Sequence, residues 1–371
     1  MVGTAGDIVG VQTITINGRF LGQPQSGVQR FARELTLALD DKIAAGEVPA
    51  TLMGAKWRIA VPRGTPVDID LKNISVDIFG SGPGHLWEQS ALHYRSRGGR
   101  LIGFGGSGPL FHRRQAVVIH DVTIFRHPQS FKRSYRLLHG AIGSVLTRTA
   151  KIGTVSEFSR QELALVFGVP AAGIDVIYNA VDHFRSIEPD EHIIEKLGLA
   201  PNGFFLLVGT IKPNKNLDFA IRAFEALGNA GQKLVVVGGS APSVFRSSNS
   251  ASTSTILYPG RLTDAEIVAL ERNATAFVFP SLYEGFGIPP LEAMTQACPV
   301  LAADIPAVRE ASGAAALYFD PTKREELTNA MRRISSDQLL REQLRAAGKT
   351  NVARFSWSNS ADRVLNMLAE L

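Results

Sequence analysis

Two carboxylates, Glu284 and Glu292, stand with seven residues between them in the run EGFGIPPLEAM. The apolar run AFVFP at 276–280 precedes them and reads as a buried strand. Two glycines then open a loop. Pro289 and Pro290 open a helix that continues through Leu291, Glu292, Ala293 and Met294. Proline suits first helical positions, where the amides lack intrahelical partners anyway. Free amides at such a helix start attract phosphate. Carboxylates beside phosphate would repel it, so they suit hydroxyl groups on either side, a ribose and a sugar. The residue types therefore predict a sugar-nucleotide site. Glu292, placed in the first helical turn, would favour the helix dipole even with nothing bound. No capping argument asks for Glu284.

Three further places carry chemistry. Lys212 and Lys215 follow the apolar strand 204–208 in VGTIKPNKNL, and loops after the carboxyl ends of parallel strands are where ligands bind in such sheets. A lysine there can neutralise a departing diphosphate, although capping by the Pro213–Asn216 turn also explains the local sequence. His120 and Asp121 end the strand 115–119, which puts an imidazole at a sheet edge. Gly27 opens a helix predicted over 29–39, where a backbone without a side chain lets phosphate or acceptor approach closely.

The elements that must position these residues alternate. Apolar patterning predicts strands at 12–16, 57–61, 74–78, 100–102, 115–119, 152–155 and 174–178, with helices at 29–39, 87–94, 130–147 and 159–166. A charged, proline-containing stretch at 179–201 reads as a linker. Strands at 204–208, 233–237, 255–258, 276–279, 300–302 and 316–319 follow, with helices at 217–227, 264–273 and 289–297, two within 323–352, and a last one at 358–371. Such alternation implies parallel sheets covered on both faces. The Ser/Thr/Asn-rich segment 243–255 reads as a surface loop. Gly103, Gly105 and Gly108 match a dinucleotide-binding spacing, but Pro109 follows and no amphipathic helix begins there, so a glycine-rich cleft loop is the better reading. The Asp68-Ile69-Asp70 triplet reads as an acidic surface turn.

At 371 residues the chain suits two domains. It is 45% hydrophobic and 20% charged, ordinary for a globular protein. No apolar run approaches the ~20 residues of a spanning helix. The N-terminal MVGTAGDIVGVQT lacks the basic start and apolar core of a signal peptide. The single Cys298 excludes an intrachain disulfide and suits a reducing cytosol. With one cysteine and dispersed histidines, no zinc spacing arises, and no metal site is expected. Net charge is +5 and the isoelectric point is about 9.4. Without a basic helix carrying interleaved aromatics, nucleic acid is not the expected partner. Basic clusters at 95–100, 113–114 and 132–136 suit either an anionic lipid surface or plain solvated faces. A cytoplasmic protein is expected, with the inner face of the cell membrane as its peripheral seat.

The EGFGIPPLEAM run resembles the signature of the retaining glycosyltransferases of family 4. Further similarity lies in GVQRFAREL (27–35), HLWEQSAL (85–92), VIHDVTIFRHP (118–128), TVSEFSRQEL (154–163), VIYNAVD (176–182), VGTIKPNKNL (208–217) and PVLAADIPAVREASGAAALYFDP (299–321), covering nearly the whole chain in the expected order. The resemblance implies an α/β protein of the GT-B fold, two Rossmann-like domains with parallel sheets facing a central cleft. It implies an acceptor-side domain over 1–180, a nucleotide-sugar domain over 201–357, and the helix 358–371 crossing back onto the first.

It further implies that Glu292 contacts the ribose and that Glu284 contacts donor-sugar hydroxyls. The amides of Phe286, Gly287 and Ile288 would face the sugar and diphosphate. His120 would orient the donor sugar, and Gly27 would line the cleft. Ser156 and Asn179 match cleft positions that turns explain nearly as well. Lys215 matches the family lysine; Thr210 stands where an arginine is common, with Lys212 as the candidate substitute. The catalytic set implied is His120, Lys215 and Glu284, without a metal or cofactor. The GVQRFAREL, LWEQ and HDVTIFRHP blocks resemble members that build bacterial surface polysaccharides, several of them mannosyltransferases. GDP-mannose and a polyprenyl-diphosphate-linked glycan are the favoured donor and acceptor. A soluble sugar acceptor and a non-catalytic sugar-nucleotide-binding protein are the alternatives.

Overall fold

The computed structural model describes residues 12–210, 212–228, 231–238 and 255–371. The N-terminal stretch 1–11 and all but the last residue of the expected loop 243–255 lie outside them. Two parallel sheets organise the chain. The first holds β1 (Thr13–Asn17), β2 (Lys56–Val61), β3 (Ser75–Ile78), β4 (Arg100–Gly103), β5 (Gln115–Val118), β6 (Lys151–Thr154) and β7 (Ile174–Val176), in the order β3-β2-β1-β4-β5-β6-β7. The second holds β8 (Phe204–Val208), β9 (Lys233–Val237), β10 (Ile256–Gly260), β11 (Ala276–Phe279), β12 (Val300–Ala303) and β13 (Ala316–Phe319), in the order β10-β9-β8-β11-β12-β13. The central strands read FFLLV and AFVF because helices cover both faces; Phe204 to Leu207 and Ala276 to Phe279 are all buried.

Both sheets share one topological feature. Their first strands, β1 and β8, lie between the second and fourth strands of the same sheet. Connections leave such a strand and its neighbour in opposite directions, opening a crevice at their carboxyl ends where ligands bind. The helices named below are α1 (Gly27–Ala44), α2 (the run 84–96), α3 (Arg133–Thr149), α4 (Glu157–Phe167), α5 (Leu217–Glu225), α6 (Asp264–Asn273), α7 (Ile288–Thr295), α8 (Pro306–Ser312), α9 (Arg324–Ser336), α10 (Gln338–Val352) and α11 (Trp357–Ala369). The middle of α2, Glu88–Leu92, winds as a π-helix.

Several details depart from the sequence reading. The stretch 179–201 is packed rather than loose: Phe184, Ile193 and Ile194 are buried, and the short helix His192–Lys196 lies against α6. Helix α1 begins at Gly27 and runs to Ala44, longer at both ends than its apolar stripe suggested. Helix α11 lies against α1, β5 and β7 of the first sheet. Ser360 Oγ donates to Tyr178 O at 2.6 Å, Lys42 pairs with Asp362 at 2.9 Å, and Arg114 Nε donates to Leu371 O at 2.9 Å. Asp68 is paired with Arg33, which uses up its charge, and no helix follows the 103–108 glycine run before β5. No helix among the described residues is long and apolar enough to cross a membrane.

Candidate functional site

The loop after β8 and the loop after β11 are knitted together at the crevice of the second sheet. Pro213–Lys215 forms a 3-10 turn, and Asn216 adopts a left-handed conformation (φ 54°) before α5. Leu282 N donates to Asn214 O at 2.8 Å, and Asn216 Nδ2 donates to Pro321 O at 3.0 Å. This fixes the Lys215 stem beside the other loop, where Lys215 Nζ meets Glu284 Oε1 at 2.6 Å. The side chains keep 23% and 15% of their surface, so the pair is sheltered yet reachable. Lys215 also lies 5.7 Å from the centre of the Phe279 ring.

The glycines of this loop are there for room and conformation. Gly287 takes φ 117° as the residue before α7, a value L side chains rarely adopt. A Cβ on Gly285 would stand 2.8 Å from His120 O and 2.9 Å from Asp121 Cβ, so only glycine lets the loop approach the first domain this closely. Gly285 O in turn accepts from Ser156 Oγ (2.5 Å) and Ser159 Oγ (2.9 Å) at the start of α4. Glu310 of α8 accepts from the amides of Glu157 and Phe158 at 2.6 and 2.9 Å, occupying that helix start with a carboxylate from the second domain. At the far side of the cleft, a Cβ on Gly27 would lie 3.4 Å from Ile288 Cδ1. The starts of α1 and α7 thus face each other.

His120 lies just past β5. Its Nε2 is 2.9 Å from Phe104 O, and its ring stands edge-on to Phe31 at 4.7 Å. Burial lowers its pKa, outweighing the Phe104 bond and Asp121. The imidazole is neutral near pH 7, with Nε2–H donating to the carbonyl and Nδ1 left as an acceptor.

Glu292 requires a correction. It is the fifth residue of α7, beyond the first turn, so the helix dipole does little for it. Its surroundings push its carboxyl up to about 7, chiefly by burial, opposed by Arg30 and reinforced by Asp264. Arg30 reaches from α1 across the cleft to Asp264 Oδ1 at 2.8 Å and lies over the Phe184 ring at 5.5 Å. Glu271 on α6 is buried beside Glu292, its Oε2 without a hydrogen-bond partner, and its pKa is raised well above the ordinary value by burial and by Glu292.

The structure therefore brings Lys215, Glu284, Gly285 and His120 into one neighbourhood, with Gly27, Gly287 and Ile288 at the facing helix starts. Phe286 is in the loop, but its ring is buried between Tyr178 and Phe355. Thr210 and Lys212 are exposed, and neither side chain has a hydrogen-bond or ion-pair partner among the described residues. Asn179 is buried with Oδ1 unpartnered, while Ser156 caps α4. Sequence reasoning passed over Arg30, Asp264 and Glu310. Arg30 lies inside the GVQRFAREL block, but nothing local says that it spans two domains. No group of three or more His, Cys, Asp or Glu among the described residues is placed to hold a metal ion. A cavity of about 670 Å³ between α4 and α11, lined by Arg160, Tyr178, Arg354 and Arg363 among others, holds none of these groups.

Two parallel-sheet domains meeting through the loops at their carboxyl edges define a GT-B protein. Residues 190–351 match the family model for glycosyl transferases group 1. The chain is 31% identical over 275 residues to O-antigen chain mannosyltransferase B of Escherichia coli, covering 70% of this chain and 72% of the relative. It is 30% identical over 273 residues to O-antigen chain mannosyltransferase RfbU of Salmonella typhimurium, covering 70% of each. The crystal structure of Anabaena HepE in complex with UDP and glucose superposes with a TM-score of 0.70 at 18% identity, covering 98% of this chain and 100% of that one. The chain belongs to the group 1 glycosyl transferases.

Proposed function

We propose that the protein transfers a hexose, with retention of configuration, from a nucleoside diphosphate sugar to a glycan in bacterial surface polysaccharide assembly. GDP-mannose is the favoured donor, and a polyprenyl-diphosphate-linked glycan at the inner membrane face is the favoured acceptor. The observation that carries this reading is the Lys215–Glu284 pair at the crevice of the second sheet, on a loop whose Gly285 packs against the backbone of His120. The mannosyltransferase relatives named above support the choice of sugar.

The chemistry follows from what each group can do. Lys215 turns from Glu284 to the diphosphate and stabilises its growing charge as the glycosidic bond breaks. Glu284, released, accepts hydrogen bonds from sugar hydroxyls. The neutral His120 accepts at Nδ1 from another hydroxyl and so orients the ring. Glu292 accepts from the ribose. Neither glutamate is needed as a nucleophile; the acceptor hydroxyl attacks from the face the diphosphate leaves, and its proton passes to an oxygen of that departing diphosphate.

Donor hydrolysis over a panel of nucleotide sugars tests the reading. GDP-mannose is expected to be cleaved fastest. A panel in which nucleotides bind and none is cleaved, with or without acceptor, would leave a binding protein instead. Turnover in excess chelator is expected to stay near its starting value, because lysine and backbone amides meet the diphosphate. A loss restored only by Mg²⁺ or Mn²⁺ would contradict that.

A further inference from the structure

Arg30 is sheltered between the two domains, in a place that the proposed transfer does not use. Helix α1 meets α7 at Gly27 and Ile288, and one turn further along α1 Arg30 reaches across the cleft. Its side chain keeps 15% of its surface. Nη2 donates to Asp264 Oδ1 at 2.8 Å, at the start of α6, and Cζ lies 5.5 Å from the centre of the Phe184 ring. Phe184 belongs to the 3-10 turn Asp182–Ser186, to which α7 is tied as well: Gln296, one turn beyond Glu292, donates from Nε2 to Phe184 O at 2.9 Å. Arg30 and Glu292 therefore approach each other over the same turn. His183 of that turn adds little to the hold on Arg30. Burial and then Arg30 bring its pKa down to about 4, so the ring is neutral. Its one acceptor nitrogen has two claimants, Arg30 Nη1 at 3.2 Å and Trp357 Nε1 at 3.1 Å.

What faces the guanidinium is mostly acidic. Asp264 and Glu271 come from α6, Glu292 from α7, Glu34 from α1 and Asp182 from the turn. Arg33 lies beyond Glu34, and the buried Cys298 thiol beside Glu271. A desolvated charge needs an opposite charge close by. For Arg30 the direct bond to Asp264 meets that need. Glu292 is placed differently. Burial opposes its charge, Asp264 and Glu271 oppose it further, and Arg30 favours it. Arg30 and Glu292 stand on different domains, so the helix that closes over the carboxyl also carries the cation that lets it stay ionised there. Glu310 on the amides of Glu157 and Phe158, and Ser156 on Gly285 O, tie the domains together elsewhere without bringing a cation to Glu292.

We infer that Arg30 is a positioning residue for the nucleotide, brought from the first domain to face Glu292 so that the closed cleft grips a ribose through a carboxylate rather than a carboxylic acid. This rests on the reading of Glu292 as the ribose acceptor, and it adds the group that makes such a role workable in a buried place. An ionised carboxylate offers both oxygens to donating hydroxyls, whereas a protonated one spends part of that capacity on its own O–H. Arg30 has no need to touch the nucleotide. It acts through Glu292, and the bond to Asp264 sets where it stands.

Calorimetry of GDP and of UDP binding to the full-length protein, between about pH 6 and about pH 9, tests the inference. The proteins compared are the wild type, Arg30→Gln, Arg30→Met and Arg30→Lys, each alone and combined with Glu292→Gln. Gln and Met remove the charge but pack differently over Phe184, so an effect common to both belongs to the charge. Removing an opposite charge raises a carboxyl by about one pH unit or more, so both variants should bind nucleotide about fivefold more weakly at pH 7, with the gap closing as pH rises. Their kcat for nucleotide-sugar hydrolysis should hold while KM rises. Arg30→Lys should keep the wild-type profile. With Glu292→Gln already present, the Arg30 substitutions should change affinity by less than about twofold, because the group they act through has gone. Folding is checked by circular dichroism at about pH 6, where Glu292 is protonated with or without Arg30. A weakening that is equal at every pH, or that persists in the Glu292→Gln background, overturns the inference and leaves Arg30 a structural tie between domains. So does a wild-type protein that binds neither nucleotide, or a failure of both charge-removing variants to fold at about pH 6. Nucleotide binding with the expected dependence on pH and Arg30, in a protein that cleaves no nucleotide sugar, removes the transferase reading and leaves the role of Arg30 standing.

Discussion

Lys215→Ala is expected to lose on the order of 10²–10³ in kcat, with little change in donor affinity. Lys215 already has a partner, Glu284 at 2.6 Å. Binding a diphosphate exchanges one anion for another, so the ground-state gain is modest. As the glycosidic bond breaks, charge collects on the leaving oxygens and the same ammonium is worth more, which is the condition for acceleration rather than mere binding. The substitution also leaves Glu284 unpaired in a partly buried loop, and breaking such a pair destabilises. Lys215→Arg keeps the charge and Glu284→Gln paired with Lys215→Ala removes the orphan, so these two variants separate catalysis from folding. Saturation kinetics with circular dichroism is the measurement. A near-normal kcat with only a raised KM would remove Lys215 as the leaving-group stabiliser, and the exposed Lys212 would be tested next.

Glu292→Gln is expected to make the protein more stable and worse at binding nucleotide. The Glu292 carboxyl sits at about 7 in the fold against an ordinary 4.5. The unfolded chain therefore releases this proton first, and stability is lost as pH rises from about 4.5 to about 7, remaining lower above that. The full cost is roughly 3 kcal/mol. The groups facing it are Arg30 on α1, which favours its charge, and Asp264 and Glu271 on α6, which oppose it. Removing the ionisable group abolishes that slope, so the variant should gain most at pH 8 and almost nothing at pH 4.5. Ribose hydroxyls donate to a carboxylate, so wild-type nucleotide affinity should rise with pH through about 7. The variant should show a flat profile and bind roughly 10–100-fold more weakly, the loss of a charged hydrogen bond. Denaturant melts and calorimetry at several pH values report both effects. A variant that is less stable at pH 8, or whose nucleotide affinity still rises through 7, would refute the assignment.

Much of the fold was legible because parallel strands buried on both faces announce themselves. FFLLV, KLVVV and AFVF were placed at the observed bounds, and the alternation with helices gave two doubly covered sheets. Helix ends were less legible. Pro289 and Pro290 marked the start of α7, but the helix takes in Ile288 as well, which moves Glu292 out of the first turn. The stretch 179–201 looked like a linker because it carries Pro189 and a run of charges. Only three dimensions show Phe184 and Ile193 buried.

Within the site, Lys215 and Glu284 were found through local pattern, strand then loop. Arg30 and Glu310 were not, because each acts through partners far away in sequence: Asp264, and the amides of Glu157 and Phe158. A charged residue on an amphipathic helix reads as solvated until its partner is known. Glu271 shows the limit well: between Leu270 and Arg272 nothing marks it as a buried, partly unpartnered carboxyl.

A crystal structure of the full-length protein with GDP and Mg²⁺-free buffer tests the central claim most directly. The account predicts the nucleotide at the β8–β11 crevice, with its β-phosphate against Lys215 and the start of α7, its ribose on Glu292, and Lys215 turned away from Glu284. A nucleotide seated instead at the β1–β4 crevice near Arg19, or one that leaves the Lys215–Glu284 pair and Glu292 untouched, would contradict it.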